Sequence, residues 1–213
     1  MNFDDFSDRI SKIENLPLPG RASHYKMTPL MRIRELESEA FIKKNPKQAA
    51  VMALFYPSLK HEANLLLILR NTYKGVHSAQ IALPGGKLEK GDANLLATAL
   101  RETQEEVGAV PERIKVIKSL SEIYIPPSNF EVQPFLGLYR KEQPFLLQAE
   151  EVAALVEVSV TDFMDDSKVV QRRITTSYAQ NIPVPAFNFM GYTVWGATAM
   201  MLSEIKELLK QVL

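Results

Sequence analysis

Glu102, Glu105 and Glu106, with Arg101 beside them, are the residues of this 213-residue chain whose spacing best suits chemistry. On a helix of 3.6 residues per turn, positions i, i+3 and i+4 project from neighbouring parts of one surface, so the three carboxylates cluster. Like charges at i and i+4 cost roughly 0.2–0.5 kcal/mol per pair, which calls for a positive charge among them. Hard oxygen donors on a short arc suit Mg²⁺ or Mn²⁺, ions that keep several waters and are completed by substrate phosphate oxygens. Arg101 can grip a carboxylate in a two-pronged hydrogen bond and fix its rotamer. The chemistry implied is metal-assisted attack on a phosphate linkage; the competing reading is a solvated run of charge.

The helix that would carry these groups is readable. Leu96, Leu100, Thr103 and Val107 fall on one stripe, with Glu102 and Glu106 at its edge and Glu105 further round. The pattern predicts a helix over 93–107, with Asp92 as N-cap, Gly91 allowing the entry and Gly108 ending it in a left-handed conformation. Upstream, Gly85 and Gly86 let the backbone come close to what lies over the helix, with carbonyls free to ligate a cation. Arg70, Lys74 and His77 form a small basic group near this cup that could contact a substrate phosphate, ordinary loop charges being the alternative.

Gly86, Asp92, Arg101-Glu102, Glu105-Glu106 and Gly108 together resemble the Nudix box of the Nudix hydrolases, G-x5-E-x7-R-E-U-x-E-E-x-G-U with U bulky and apolar. Asp92 stands where the pattern has Glu and lies one residue further from Arg101; Thr103 and Ala109 occupy apolar positions. LLLILR (65–70), HSAQIALPGGK (77–87) and TALRETQEEVG (98–108) are similar to the coenzyme A pyrophosphatase branch, with Ala79 and Leu83 where that branch usually has Gly and Phe. The resemblance implies an α/β fold, a Nudix-type α/β/α sandwich with a mixed sheet. It also implies a Mg²⁺- or Mn²⁺-dependent diphosphate hydrolase for coenzyme A or its thioesters, giving 4'-phosphopantetheine and adenosine 3',5'-bisphosphate. Glu102, Glu105 and Glu106 would hold metal, Arg101 would support them, and Arg70, Lys74, His77, Gly85 and Gly86 would meet substrate. A second acid outside the box matches Glu150 or Glu151, and Glu151 is taken as catalytic with Glu105, Glu102 and Arg101. Another nucleoside diphosphate derivative, or a nucleotide-sensing domain without catalysis, is the alternative.

The rest of the chain must position this site. At 46% apolar residues it can fill one sizeable core. Twenty-five basic residues balance 25 acidic ones, so there is no general field for nucleic acid or an anionic membrane. The absence of cysteine excludes disulfides and thiolate metal sites and is consistent with a cytoplasmic location. No run of 18 apolar residues or signal-like N-terminus is present. Residues 1–48 read as a helical extension and connector, and 49–213 as the Nudix domain with its box at 86–109. Phe3, Phe6, Ile10, Ile13 and Leu16 predict an amphipathic helix that docks on the domain or on a partner subunit, the latter making a homodimer. Within the connector His24 reads as a solvated residue, and 30–44 as a further helix.

AAVMALFYP and NLLLILRN predict an antiparallel strand pair; IKVIKSLSEIYI, EVQPFLGLYRK and EVAALVEVSV predict further strands. In the last of these, Val152, Ala154, Val156, Val158 and Val160 share one face. Residues 161–190 read as irregular, and Trp195 as a core residue preceding a C-terminal helix.

Overall fold

The computed structural model describes residues 1–37, 45–71, 80–140, 144–175 and 180–213. Two strands, β1 (Lys47–Pro57) and β2 (Ala63–Arg70), are apolar at nearly every position because both of their faces are covered. Ala50, Met52, Leu54 and Tyr56 of β1, with Leu66 and Ile68 of β2, face one cluster; Ala53, Phe55, Leu65 and Leu67 face the other. The two strands pair antiparallel, as expected.

Around them come β3 (Ile81–Ala82), β4 (Gly85–Lys87), β5 (Ile114–Ser119), β6 (Ile123–Ile125), β7 (Phe130–Tyr139) and β8 (Val152–Ser159). Among the described residues these form one eight-stranded mixed sheet of order β3-β2-β1-β7-β5, with β7 parallel to β1. β4 pairs with the first half of β1, β6 with β7 and β8 with β2. On one face lies α4 (Leu95–Val107), packed through Ala99 and Val107. The other face is covered by α1 (Phe3–Ile10) and a C-terminal helix, Gly196–Leu209. The protein is therefore an α/β/α sandwich.

The N-terminal helix docks on its own chain. Phe3, Phe6 and Ile10 are buried, and the Phe6 and Phe55 rings lie 4.9 Å apart. Each such side chain contributes about 1.5–3 kcal/mol by leaving water. Two short helices follow, α2 (Arg21–Tyr25) and α3 (Leu30–Glu37); the remainder of the helix expected to 44 lies outside the described residues.

The described part of 161–190, residues 161–175 and 180–190, is mostly helix and strand rather than the irregular segment the sequence suggests. α5 (Val160–Met164) leads to a second, three-stranded sheet of β9 (Val169–Ile174), β10 (Ile182–Phe189) and β11 (Tyr192–Val194). Pro183 and Pro185 make β10 look unlike a strand. β11 pairs only with Phe187–Phe189, so both prolines lie along the stretch of β10 that lacks β11 as a neighbour, where a missing N–H costs no ladder bond to that strand. Phe163, Phe187 and Phe189 then close the core from this side. The C-terminal helix, α6 (Gly196–Leu209), buries Met201, Leu202, Ile205, Leu208 and Leu209 as the periodicity predicts, but Trp195 before it is only half-buried.

His24 is likewise buried rather than solvated. Its Nε2 lies 3.3 Å from Glu204 Oε2, and Glu204 is 0% exposed. That carboxylate also accepts from the N–H groups of Gly20 (3.1 Å) and Ser121 (3.1 Å) and from the Ser121 hydroxyl (2.6 Å). One acidic side chain thus ties the N-terminal connector and the β5–β6 turn to α6. Burial alone would raise the Glu204 pKa, but the bonds from His24 and Ser121 outweigh it and hold it below the usual range. Glu204→Ala strands these donors in the core and is expected to cost about 3–5 kcal/mol in urea denaturation. With the native side chain, the stabilisation is present above the ordinary glutamate pKa and is lost as pH falls through the lowered native value.

Candidate active site

The helix carrying the acidic residues begins two residues later than the sequence suggests. Asn94, not Asp92, is the N-cap of α4, its side chain accepting from the Ala97 N–H at 3.0 Å. Gly108 ends the helix with φ 72°, as expected. Thr103 and Ala109, which depart from the box pattern, are both buried; the Thr103 hydroxyl is satisfied by the Ala99 carbonyl at 2.6 Å.

Asp92 is released from capping to hold Arg101. Arg101 donates to it through Nε (2.9 Å) and Nη2 (3.0 Å), the two-pronged grip expected of this arginine, though on a carboxylate outside the helix. Those bonds, with one from the Glu89 N–H, hold Asp92 well below the usual carboxylate range. Arg101 Nη1 is then placed 2.9 Å from Glu102 and 2.8 Å from Glu105. The guanidinium is fixed on one side and orders two acids on the other.

The structure brings together Glu102, Glu106 and Glu151, each offering one carboxylate oxygen, all within 4.8 Å of one another. Glu105 stands apart; its carboxylate is 55% exposed and turned to Arg101. Its position further round the helix has the same cause as the offset visible in the stripe pattern. Glu106, by contrast, lies within the buried stripe at 1% exposure. Its Oε2 accepts from the Gly85 N–H at 2.9 Å, and its Oε1 lies 3.4 Å from Arg70 Nη1. Burial pushes the Glu106 pKa up to about 7, against the lowering effect of the Gly85 bond and of Arg70. Burial also raises Glu102, with Arg101 opposing.

Glu151 enters from the turn that leads into β8. Ala154 pairs with Leu69 but Val152 with Arg70, so β8 carries a bulge at its start. The bulge breaks the single face expected of this strand: Val156 and Val158 belong to the cluster under α1 and α6, whereas Val152 belongs to the one under α4. The residue before Val152 is thereby brought to the carboxylates on α4. Of the acidic pair considered from sequence, Glu151 joins the cluster; Glu150 is not in it.

The upstream motif lines the same cup. Gly86, in β4, lies so close to α4 that a Cβ there would fall on all three atoms of the Glu102 carboxyl group. Arg70 is paired with Glu106, and its Nε is buried without a hydrogen-bond partner among the described residues. Lys74 and His77 lie outside the described residues. The parts that the sequence reading missed are the Asp92–Arg101 grip and the backbone bonds that hold Glu151; only the distance of Asp92 from its expected place hinted at the first.

Three carboxylates that each bring an oxygen within 4.8 Å of the others are a donor set fitted to a hard divalent cation. Residues 46–178 match the family model described as the NUDIX domain. The Nudix hydrolase NudL of Enterobacter sp. (strain 638) is 33% identical over 170 residues, covering 76% of this chain and 82% of its own. NudL of Salmonella newport (strain SL254) is 31% identical over 175 residues with the same coverage. Among solved structures, the Nudix hydrolase RenU of M. smegmatis aligns with a TM-score of 0.49 at 16% identity, over 78% of this chain and 88% of that one.

Proposed function

The chain belongs to the Nudix hydrolase family, and from that premise we propose that it hydrolyses the diphosphate of coenzyme A or its thioesters with Mg²⁺ or Mn²⁺. The observation that carries the reading is the meeting of Glu102, Glu106 and Glu151 beneath the stretch that resembles the coenzyme A branch. Arg70 and Gly85 of that stretch bond Glu106, and Gly86 abuts Glu102. Leu83, which replaces the usual Phe, is buried in the core, so that departure is a change of packing.

Glu102, Glu106 and Glu151 would hold the cation. When bound, it supplies charge neutralisation for the diphosphate oxygens and acidifies the attacking water. Arg101, gripped by Asp92, keeps Glu102 aimed at the cluster. Glu105, outside the cluster, is the carboxylate left to take the proton from water as its oxygen bonds to phosphorus and the bridging oxygen leaves with the other phosphate. The products are 4'-phosphopantetheine and adenosine 3',5'-bisphosphate.

The test is incubation with either metal and a panel of coenzyme A, ADP-ribose, dinucleoside polyphosphates and nucleoside triphosphates, with products resolved by chromatography. Coenzyme A is expected to yield adenosine 3',5'-bisphosphate faster than any other member is cut. Preferential cleavage of another compound overturns the substrate, and no cleavage with either metal overturns the hydrolase reading in favour of a nucleotide sensor.

A further inference from the structure

We propose that Gln148 is the positioning residue that sets Glu151 against Glu106; this rests on the reading of Glu102, Glu106 and Glu151 as cation ligands. Gln148 is bonded to the backbone of both outer members of the set. Its N–H donates to the Glu106 carbonyl at 3.1 Å, at the open C-terminal end of α4 where carbonyls lack helical partners. Its side-chain Oε1 accepts from the N–H groups of Glu150 (2.6 Å) and Glu151 (3.0 Å). Its carbonyl accepts from the Glu151 and Val152 N–H groups at 3.1 and 2.9 Å.

From the other side, the Asn71 N–H donates to the Glu151 carbonyl at 2.7 Å, and its side-chain amide donates to the Ala149 carbonyl at 2.8 Å. The backbone of Glu151 is therefore bonded at both its N–H and its C=O. This matters because Glu151 is exposed and arrives from a turn, whereas Glu102 and Glu106 share one helix and keep their spacing unaided. A three-carboxylate set is only as well ordered as its loop-borne member, and the groups behind metal ligands typically change affinity about 10–100-fold. The side-chain oxygen of Gln148 does here what Asn or Asp does in an Asx turn, accepting from N–H groups two and three residues on.

Three variants test the assignment: Gln148→Leu, which removes the acceptor and leaves an apolar side chain; Gln148→Asn, which restores an acceptor; and Glu151→Gln. Each is read by Mn²⁺ titration without substrate, by kcat and KM separately, and by thermal melting. Gln148→Leu is expected to weaken Mn²⁺ binding about tenfold or more and to lower kcat more than KM changes. Gln148→Asn is expected to recover Mn²⁺ affinity to within a few-fold of the parent. Parent-like Mn²⁺ binding in Gln148→Leu overturns the proposal, as does failure of Gln148→Asn to bind better than Gln148→Leu. Parent-like binding in Glu151→Gln overturns the cation reading itself, whereas a loss there beside an unaffected Gln148→Leu removes only the role of Gln148.

Discussion

Glu106→Gln is expected to lower turnover about a thousandfold or more while leaving the fold intact. The side chain is buried and sits between the Gly85 N–H and Arg70, so an amide of the same shape keeps an acceptor for Gly85 but loses the charge that a cation needs. Stability should move the other way. Because burial raises Glu106 to about 7, the native state without bound cation holds a proton that the unfolded chain releases near the ordinary glutamate value. The stabilisation associated with this group is full below the unfolded value and is lost as pH rises through about 7, a decline on the order of 3 kcal/mol. Melting curves in a chelator at pH 5 and pH 8 should show this decline in the parent and not in Glu106→Gln. Retained turnover would sink the ligand role, and an unchanged pH slope would sink the linkage.

The legible parts of this molecule are those where one physical demand acts alone. The strands β1 and β2 are buried on both faces, so their apolar runs announce them; α4 has a face to bury and a glycine to end on. Illegible parts are those where two demands meet. Asp92 is as good an N-cap as Asn94, and only the geometry shows that Arg101 claims it. His24 sits in a Pro- and Gly-containing connector, where solvent is the default, and its burial depends on Glu204, 180 residues away in sequence. Val152 belongs to an alternating strand whose alternation a bulge interrupts, and no single-strand pattern reveals a bulge that its neighbour β2 defines. The acidic site was readable as to residue type and helix, but Glu105, expected to cluster with the other two, stands outside the group that Glu102 and Glu106 form with Glu151. Glu151 was named from the resemblance, but its meeting with Glu102 and Glu106 needed the fold, because it comes from the turn before β8 and not from α4.

Gly86→Ala is expected to be nearly as damaging to function as loss of a ligand, with little loss of stability. Gly86 is in β4, paired with Ala50 of β1, and β1 is flanked on its other side by β7, so the backbone there cannot retreat. The added Cβ would occupy the space of the Glu102 carboxyl group, and the side chain must yield, since it is the flexible partner. In moving it gives up its 2.9 Å approach to Arg101 and its place with Glu106 and Glu151. Mn²⁺ affinity and kcat should fall about 10–100-fold or more, while the melting temperature shifts by only a few degrees. Gly91→Ala is the matched control, because a Cβ there meets nothing within 4 Å; it should bind Mn²⁺ and turn over as the parent does. If Gly86→Ala also behaves as the parent, Glu102 does not need to stand where it does, and the three-carboxylate site loses its first member. If it fails while Gly91→Ala does not, the glycine of this motif serves by absence of a side chain: the loop comes close enough to α4 to act as the wall against which Glu102 is aimed.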